Sequence, residues 1–307
     1  MSTTRIPQVG STLVLGELIG RGGMGEVWGG VDRRSGSRVA VKLARTDIEE
    51  AQWAAEQFER ELAVHALASK LDCVPTLLRR GRVQGRTYGV IERVDGPTLR
   101  EVMQNKGRPP AEVATQLVDQ LINCTLSMHD IGIVHRDLKP SNLLMDNGTM
   151  RIIDFGVACR VEEASHFDDR VVVGTTGYMS PEQLLGAKCA PESVDTWSIA
   201  IVAYELLTGH RPFAGPGVRE MCGAVLEHRY EAPSRKCVFG PAIDAFFERA
   251  FAPRLDQRFA SLEVMGNAWR AVTGRRASSK VALKWLQGWE SARVPSSLPT
   301  TRVARAA

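Results

Sequence analysis

The 307-residue sequence lacks any apolar run of the roughly 18 residues that a membrane-spanning helix requires. Its most apolar stretch, Trp197 to Leu207, is shorter than that and contains Glu205. The segment Met1 to Gly10 has no apolar core of the kind that marks a secretory signal peptide. We therefore expect a cytoplasmic protein without a membrane span.

Cysteine pairs with metal-binding or redox spacing are also missing. The six cysteines are scattered and form no C-x-x-C pair. Because no export signal is recognised, we expect free thiols rather than disulfides. No internal repeat with a solenoid period occurs. The composition, with 44% hydrophobic and 24% charged residues, is that of a globular protein.

Most of the chain carries little net charge. The formal net charge is +4, but residues 273–307 hold seven Lys or Arg and one Glu, and so contribute +6. The remaining residues therefore sum to −2. This balance gives no reason to expect nucleic-acid binding.

The polar stretch from His135 to Asn142, which lies between apolar segments, carries the most specific chemistry. It places a carboxylate at Asp137, an ammonium at Lys139 and an amide at Asn142. The carboxylate can take a proton from a hydroxyl, the ammonium can neutralise a phosphoryl group, and the amide oxygen can bind a divalent cation. Phosphoryl transfer needs these groups close together, because its catalysis consists mostly of positioning and charge stabilisation.

The stretch His-Arg-Asp-Leu-Lys-Pro-Ser-Asn resembles the catalytic loop of the protein-kinase superfamily. Its Lys-Pro-x-Asn form is similar to that of serine/threonine protein kinases, and the stretch Ile19 to Trp28 resembles their eukaryotic-like, bacterial-type members. The resemblance implies an α+β, two-lobed protein-kinase fold, with a small antiparallel β lobe carrying one helix and a larger, mainly α lobe. It divides the chain into a flexible N-terminus, a kinase N-lobe, a kinase C-lobe and a basic Ser/Thr-rich tail: residues 1–12, 13–93, 94–272 and 273–307.

A G-x-G-x-x-G loop runs from Gly20 to Gly25, after a predicted strand. A dinucleotide-binding loop of this pattern would open a helix, whereas here two further strands are predicted, around a turn at Arg33 to Gly36. This order resembles the kinase N-lobe, although a plain flexible hairpin also fits the local pattern. Glycines let backbone N–H groups approach phosphates without side-chain clash. The resemblance assigns ATP binding to Ile19, Gly20, Arg21, Gly22, Gly23, Met24, Gly25, Glu26 and Val27.

The Val-Ala-Val-Lys stretch that ends at Lys42 resembles the third-strand motif of kinases. The resemblance implies that Lys42 reaches the ATP phosphates and pairs with a glutamate of the helix predicted over residues 48–71. Glu61 matches the family pattern, and Glu59 and Glu56 are the alternatives.

The segment Ile91 to Gly96 resembles the hinge of kinases. It follows two predicted strands, Val74 to Leu78 and Thr87 to Ile91. The hinge backbone would bind the adenine edge. The resemblance assigns the adenine site to Val27, Ala40, Ile91, Glu92, Val94 and Leu144.

A second carboxylate motif, Asp154-Phe155-Gly156, lies 17 residues after Asp137, across a tight turn predicted at Asn147-Gly148. Mg²⁺ prefers hard oxygen ligands and keeps several waters, so a few protein oxygens suffice. The resemblance assigns Asn142 and Asp154 as ligands of Mg²⁺, or of Mn²⁺ in its place, bound with ATP.

The stretch from Asp154 to Glu182 resembles an activation segment. The resemblance implies three sets of contacts. Thr175 would bind Asp137 and Lys139, Glu182 would pair with Arg258, and Asp195 would bind the catalytic-loop backbone. Ser165 is the only hydroxyl residue between Gly156 and Gly174. In many relatives a phosphorylated Thr of this segment pairs with the arginine beside the catalytic aspartate, which is Arg136 here. In this chain, phosphorylated Ser165 or the neighbouring carboxylates would supply that negative charge. A solvated acidic loop is the alternative.

The resemblance implies a serine/threonine protein kinase that transfers the γ-phosphoryl group of ATP to protein Ser and Thr hydroxyls, including its own, in signalling. A pseudokinase would bind ATP without transfer, but Lys42, Asp137 and Asp154 are retained. A small-molecule kinase of the aminoglycoside-phosphotransferase type would lack the glycine and substrate loops. In the tail, Val281, Trp285 and Trp289 either form one helical face for docking or belong to a disordered end.

Overall fold

The computed structural model describes residues 7, 9–47, 51–163, 171–172, 174–187, 189–274, 285–286 and 304–305. The chain forms two compact units. The described residues of the smaller unit run to Asp95 and include Asp154–Gly156. Those of the larger unit begin at Gly96 and include all the others. Ser165, the predicted phosphorylation site, and Val281 and Trp289 of the predicted tail helix lie outside the described residues.

The smaller unit contains an antiparallel five-stranded sheet in the order β1-β2-β3-β5-β4, with one helix. Its elements are β1 Leu13–Arg21, β2 Gly25–Asp32, β3 Arg38–Ala44, α1 Ala51–Ala68, β4 Leu77–Val83 and β5 Arg86–Glu92. One sheet face is apolar because alternate strand residues point the same way. Its buried core comprises Val9, Leu13, Leu15, Trp28, Val39, Val41, Leu43 and Val90.

The opposite sheet face carries residues assigned to ATP. Val27 lies opposite Lys42 in the β2–β3 register, and Ala40 lies opposite Ile91 in the β3–β5 register. Directly opposed residues point to the same face, so these four side chains share a surface. Part of this face is covered by α1, since Leu62 packs on Gly89. Val27, Ala40 and Ile91 remain partly exposed.

The strand predicted over Val74 to Leu78 is wrong in its bounds. The structure starts β4 at Leu77 and extends it to Val83. Pro75 has no N–H for a ladder, and β4 is an edge strand whose residues alternate between half-buried and exposed. Such a strand tolerates the arginines after Leu78, which hid its second half from a search for apolar residues.

The larger unit is mainly helical. Its helices are α2 Leu99–Lys106, α3 Ala111–Asp130, α4 Pro181–Leu185, α5 Glu192–Thr208, α6 Val218–Leu226, α7 Pro241–Ala250 and α8 Leu262–Thr273. Short antiparallel strand pairs join β6 Ile133–Val134 to β9 Cys159–Arg160, β7 Leu143–Asp146 to β8 Thr149–Ile152, and β10 Val171–Val172 to β11 Ala304–Arg305. No helix in the described ranges is long and apolar enough to cross a membrane.

Helix α5 forms the centre of the larger unit. It is buried almost continuously from Val194 to Thr208 and contacts α3, α7 and α8. A helix that is apolar all round belongs in a core. Trp197 stacks on Phe213 at 5.6 Å and meets Phe251 edge-on at 5.2 Å between ring centroids. This packing fixes the start of α5, where Asp195 lies.

Helix α2 was missed by sequence reasoning, although it carries an N-terminal signature. Thr98 accepts a hydrogen bond from the Glu101 backbone N–H at 3.2 Å, and Glu101 accepts one from the Thr98 N–H at 2.7 Å. This reciprocal pair is a capping box, and the Thr-x-x-Glu spacing could have revealed it. At the other end of α2, the Lys106 ammonium donates to the Trp285 carbonyl at 2.7 Å.

Candidate active site

In the smaller unit, Lys42 lies between two carboxylates. Its ammonium pairs closely with Glu61 of α1 and lies 3.0 Å from Asp154 Oδ1. Burial alone would lower the pKa of Lys42, but the charges of Asp154 and Glu61 outweigh that effect and raise it. The two carboxylates therefore favour the cationic form of Lys42.

The structure distinguishes between the three glutamates that the sequence left open. Glu61 is 3% exposed and binds Lys42. Glu59 instead accepts hydrogen bonds from Arg82 and from the Thr87 hydroxyl, at 3.1 and 2.7 Å. Glu56 is exposed. Only Glu61 lies on the face of α1 that meets β3.

His65, one turn beyond Glu61, packs and does not titrate near neutral pH. Its ring stacks on Phe155 at 5.0 Å between centroids, and its Nε2 is 2.8 Å from the Pro75 carbonyl. Burial lowers the pKa of His65 to about 4. The neutral ring is an apolar support for Phe155, the neighbour of Asp154.

In the larger unit, the buried residues Asp137, Lys139 and Asn142 form one hydrogen-bonded cluster with the partly buried Thr175. Lys139 Nζ is 2.6 Å from Asp137 Oδ2, and it also donates to the Thr175 hydroxyl. The Thr175 N–H donates to Asp137 Oδ1 at 2.9 Å. Asn142 Nδ2 donates to the Asp137 carbonyl at 2.9 Å and to its Oδ2 at 3.2 Å. The Asp137 carboxylate is thus fixed in one orientation by three neighbours.

Asp195 holds the backbone on which that cluster is built. Its two oxygens accept N–H groups from His135 at 2.9 Å and Arg136 at 2.7 Å. Burial would raise the pKa of Asp195, but the His129 hydrogen bond and the neighbouring donors lower it overall. Arg136 has φ +68°, a strained value for a side-chain-bearing residue. The two charge-assisted bonds from Asp195 stabilise this geometry next to Asp137.

A buried ion pair lies at the end of the stretch that runs from Asp154 to Glu182. Arg258 reaches Glu182 with two bonds of 2.9 and 3.1 Å, and both side chains are at most 6% exposed. Arg258 also stacks on Trp197 at 4.6 Å and donates to the Ala252 carbonyl at 2.7 Å. The pair connects α4 to the segment after α7.

Residues assigned to the adenine site occupy strands of both units. In the smaller unit these are Val27, Ala40 and Ile91, on the partly exposed sheet face described above. The Glu92 carboxylate accepts the Thr76 N–H at 3.0 Å, and the Glu92 N–H donates to the Thr76 carbonyl at 2.8 Å. Val94 follows β5, and Leu144, on β7, is half-buried in the larger unit.

The proposed metal ligands offer suitable oxygen atoms. Both Asn142 contacts to Asp137 use the amide nitrogen, which leaves the amide oxygen for a cation. Asp154 is 43% exposed and touches Lys42 through Oδ1. These are the hard ligands that Mg²⁺ and Mn²⁺ prefer. In the described residues no group of three His, Cys, Asp or Glu is placed to hold a metal ion.

A family model of the protein kinase domain matches residues 13–269. This chain belongs to the protein kinase family. The match, with the antiparallel sheet and the helical unit, confirms the expected α+β kinase fold.

Serine/threonine kinases of bacteria are the relatives. The chain is 37% identical over 237 residues to the serine/threonine-protein kinase PknA of Mycobacterium tuberculosis, covering 74% of this chain and 54% of PknA. It is 32% identical over 253 residues to the probable serine/threonine-protein kinase PknB of Lactococcus lactis, covering 80% of this chain and 40% of PknB. The chain thus spans about half the length of these relatives, and its likeness to a bacterial-type kinase is confirmed.

One partly buried polar network in this kinase domain was missed by sequence reasoning. Arg100 of α2 pairs with Glu205 of α5 at 2.8 Å, and both contact the Tyr178 hydroxyl. Arg100 and Glu205 are 105 positions apart. No local spacing could have indicated the pair.

Proposed function

We propose that the chain is an active serine/threonine protein kinase, which transfers the γ-phosphoryl group of ATP to Ser and Thr hydroxyls of proteins, itself included. The observation that carries the proposal is the orientation of Asp137. Thr175 and Lys139 bind its carboxylate, so the group is set to receive a hydroxyl proton without further rearrangement.

Each remaining residue then has a defined task. Asp137 orients the substrate hydroxyl and accepts its proton. Lys139 neutralises charge beside the transferred group, while Lys42, held by Glu61, binds the phosphates. Asn142 and Asp154 would hold Mg²⁺, or Mn²⁺, which neutralises phosphate charge when it is bound with ATP.

The proposal extends to the organisation of the chain. Residues 13–93 and 94–272 are the two lobes, after an N-terminal extension over 1–12 and before a tail over 273–307. None of the six cysteines forms a disulfide in the structure. That state supports a reducing compartment such as the cytoplasm.

The test is phosphate incorporation from labelled ATP with Mg²⁺ or Mn²⁺, with and without a generic basic protein acceptor. We expect labelled Ser or Thr in the wild type and a loss of at least about 1,000-fold in Asp137→Asn, since the proton acceptor is removed. Asp130→Asn, at the exposed end of α3, is the matched control and should keep full activity. ATP binding without incorporation by the wild type would instead indicate a pseudokinase.

A further inference from the structure

Arg45, the residue after β3, holds two carbonyl groups of the glycine loop. Its backbone N–H donates to the Met24 carbonyl at 2.8 Å. Its side-chain Nη1 donates to the Gly22 carbonyl at 3.1 Å. Both acceptors lie within the G-x-G-x-x-G stretch, and Arg45 is only 20% exposed. One residue next to a neighbouring strand therefore makes two contacts with the loop that the sequence analysis assigned to phosphate binding.

These contacts also orient the opposite side of the loop. In a planar trans peptide the C=O and the following N–H point in opposite directions. Fixing the Gly22 carbonyl therefore directs the Gly23 N–H away from Arg45. Fixing the Met24 carbonyl does the same for the Gly25 N–H. Backbone N–H groups are what a glycine loop offers to phosphate oxygens, so Arg45 selects the direction in which two of them point.

The Arg45 guanidinium is itself held in place. Asp47 binds it at two points, Nε to Oδ1 at 2.9 Å and Nη2 to Oδ2 at 3.2 Å. Asp47 also accepts Arg21 Nη2 at 2.8 Å, and Arg21 Nε lies 3.1 Å from the buried Glu26. Arg21 ends β1 and Glu26 lies in β2, so both strands that flank the loop are tied to the end of β3. The hydrogen bond to Arg45 lowers the pKa of Asp47, as expected for a persistent pair.

A glycine-rich segment needs such support. Glycine loses more backbone freedom than other residues when a single conformation is fixed. A loop that is ordered only on binding must lose that freedom at the expense of ligand affinity. A loop that Arg45 already holds has lost this backbone freedom before the ligand binds, so the loss does not weaken ligand affinity.

We propose that Arg45 is a positioning residue that holds the glycine loop in its phosphate-binding conformation, with Asp47 and Arg21 fixing its side chain. This inference rests on the proposed ATP binding of the loop. The Arg45 side chain acts through the Gly22 carbonyl and not by touching the nucleotide, while the backbone bond to Met24 is kept in every side-chain variant. Its removal should therefore weaken binding of the phosphates and leave binding of the adenosine part unchanged.

The experiment compares ADP with adenosine, each with Mg²⁺, by isothermal titration calorimetry. In Arg45→Gln we expect the Kd of ADP to rise about fivefold to tenfold and that of adenosine to stay within about twofold. Asp47→Asn keeps the arginine but weakens its support, and should raise the Kd of ADP about twofold to threefold. Arg45→Lys, which keeps the charge, should recover part of the loss. Arg33→Gln, exposed in the β2–β3 turn, removes the same charge and should change neither Kd.

Thermal melts without nucleotide separate loop positioning from general damage. If Arg45→Gln loses stability, the Asp47→Asn variant decides between the two explanations. A larger rise in the Kd of ADP than in that of adenosine would indicate loop positioning. Equal weakening of ADP and adenosine, or unchanged ADP binding in a folded Arg45→Gln, would overturn the inference. A wild type that binds neither ligand would contradict the proposed function itself, and this inference with it.

Discussion

Removing one member of the buried Glu182–Arg258 pair should destabilise the larger unit more than removing both. In Glu182→Met the Arg258 guanidinium keeps the Ala252 carbonyl and the Trp197 ring but loses both carboxylate bonds. A buried charge left without its counter-charge typically costs about 3–5 kcal/mol. For a unit of this size that corresponds to a drop in Tm of roughly 6–20 °C.

The double variant Glu182→Met/Arg258→Met removes the stranded charge. Apolar replacement of an entire buried pair is often neutral. Here the Ala252 carbonyl loses its donor, and an unsatisfied buried acceptor costs about 1–3 kcal/mol. We therefore expect the double variant to be more stable than Glu182→Met alone, by roughly 1–3 kcal/mol.

The assay is urea and thermal unfolding followed by tryptophan fluorescence, since Trp197 lies against Arg258. Glu263→Met, at an exposed site in the first turn of α8, is the matched control and should cost less than about 1 kcal/mol. Additive losses in the double variant would refute the reasoning, because they would mean that the two side chains contribute independently.

Three further outcomes follow from the site and the fold. His65 has a folded pKa of about 4, below its ordinary 6.5, so the unfolded state binds more protons between these values. Stability should fall as the pH drops from 6.5 to 4, and His65→Phe should flatten that slope in pH-dependent urea unfolding. Glu61→Gln should lower kcat/KM at least about tenfold in steady-state assays with ATP, while Glu59→Gln should retain it, because Glu61 pairs with Lys42 whereas Glu59 pairs with Arg82 and Thr87. Gly148→Ala should cost about 1 kcal/mol in equilibrium unfolding, because Gly148 has φ +88° in the β7–β8 turn; equal stability would exclude a strained turn.

Local sequence patterns predicted the parts of this molecule whose chemistry is encoded in short spacings. The motif at His135 to Asn142 and the turn at Asn147-Gly148 both depend on residues within ten positions of one another. Lys42 and Glu61 are 19 positions apart, and the family pattern favoured Glu61 as its partner over Glu59 and Glu56. The roles assigned to these residues stay predictions that the experiments above test.

Sequence patterns missed two kinds of feature: contacts between residues far apart along the chain, and elements with an exposed, polar side. The pairing of Arg100 with Glu205 spans 105 positions, and no periodicity links them. The second half of β4 is rich in arginine because one side of an edge strand faces solvent. Arg45 went unnoticed because its task is to bind backbone carbonyls, and a carbonyl is present at every position.

The almost continuous burial of α5 sets an order for local opening. Amide hydrogens exchange with solvent only when their hydrogen bonds open, and those of a helix covered on all sides open with the whole fold. The amides of α5 should therefore be among the slowest in the larger unit to exchange. Asp195, near the start of this helix, binds the N–H groups of His135 and Arg136, so those two amides should share its slow exchange. The loop that carries Asp137 is thus tied to the part of the unit that opens last.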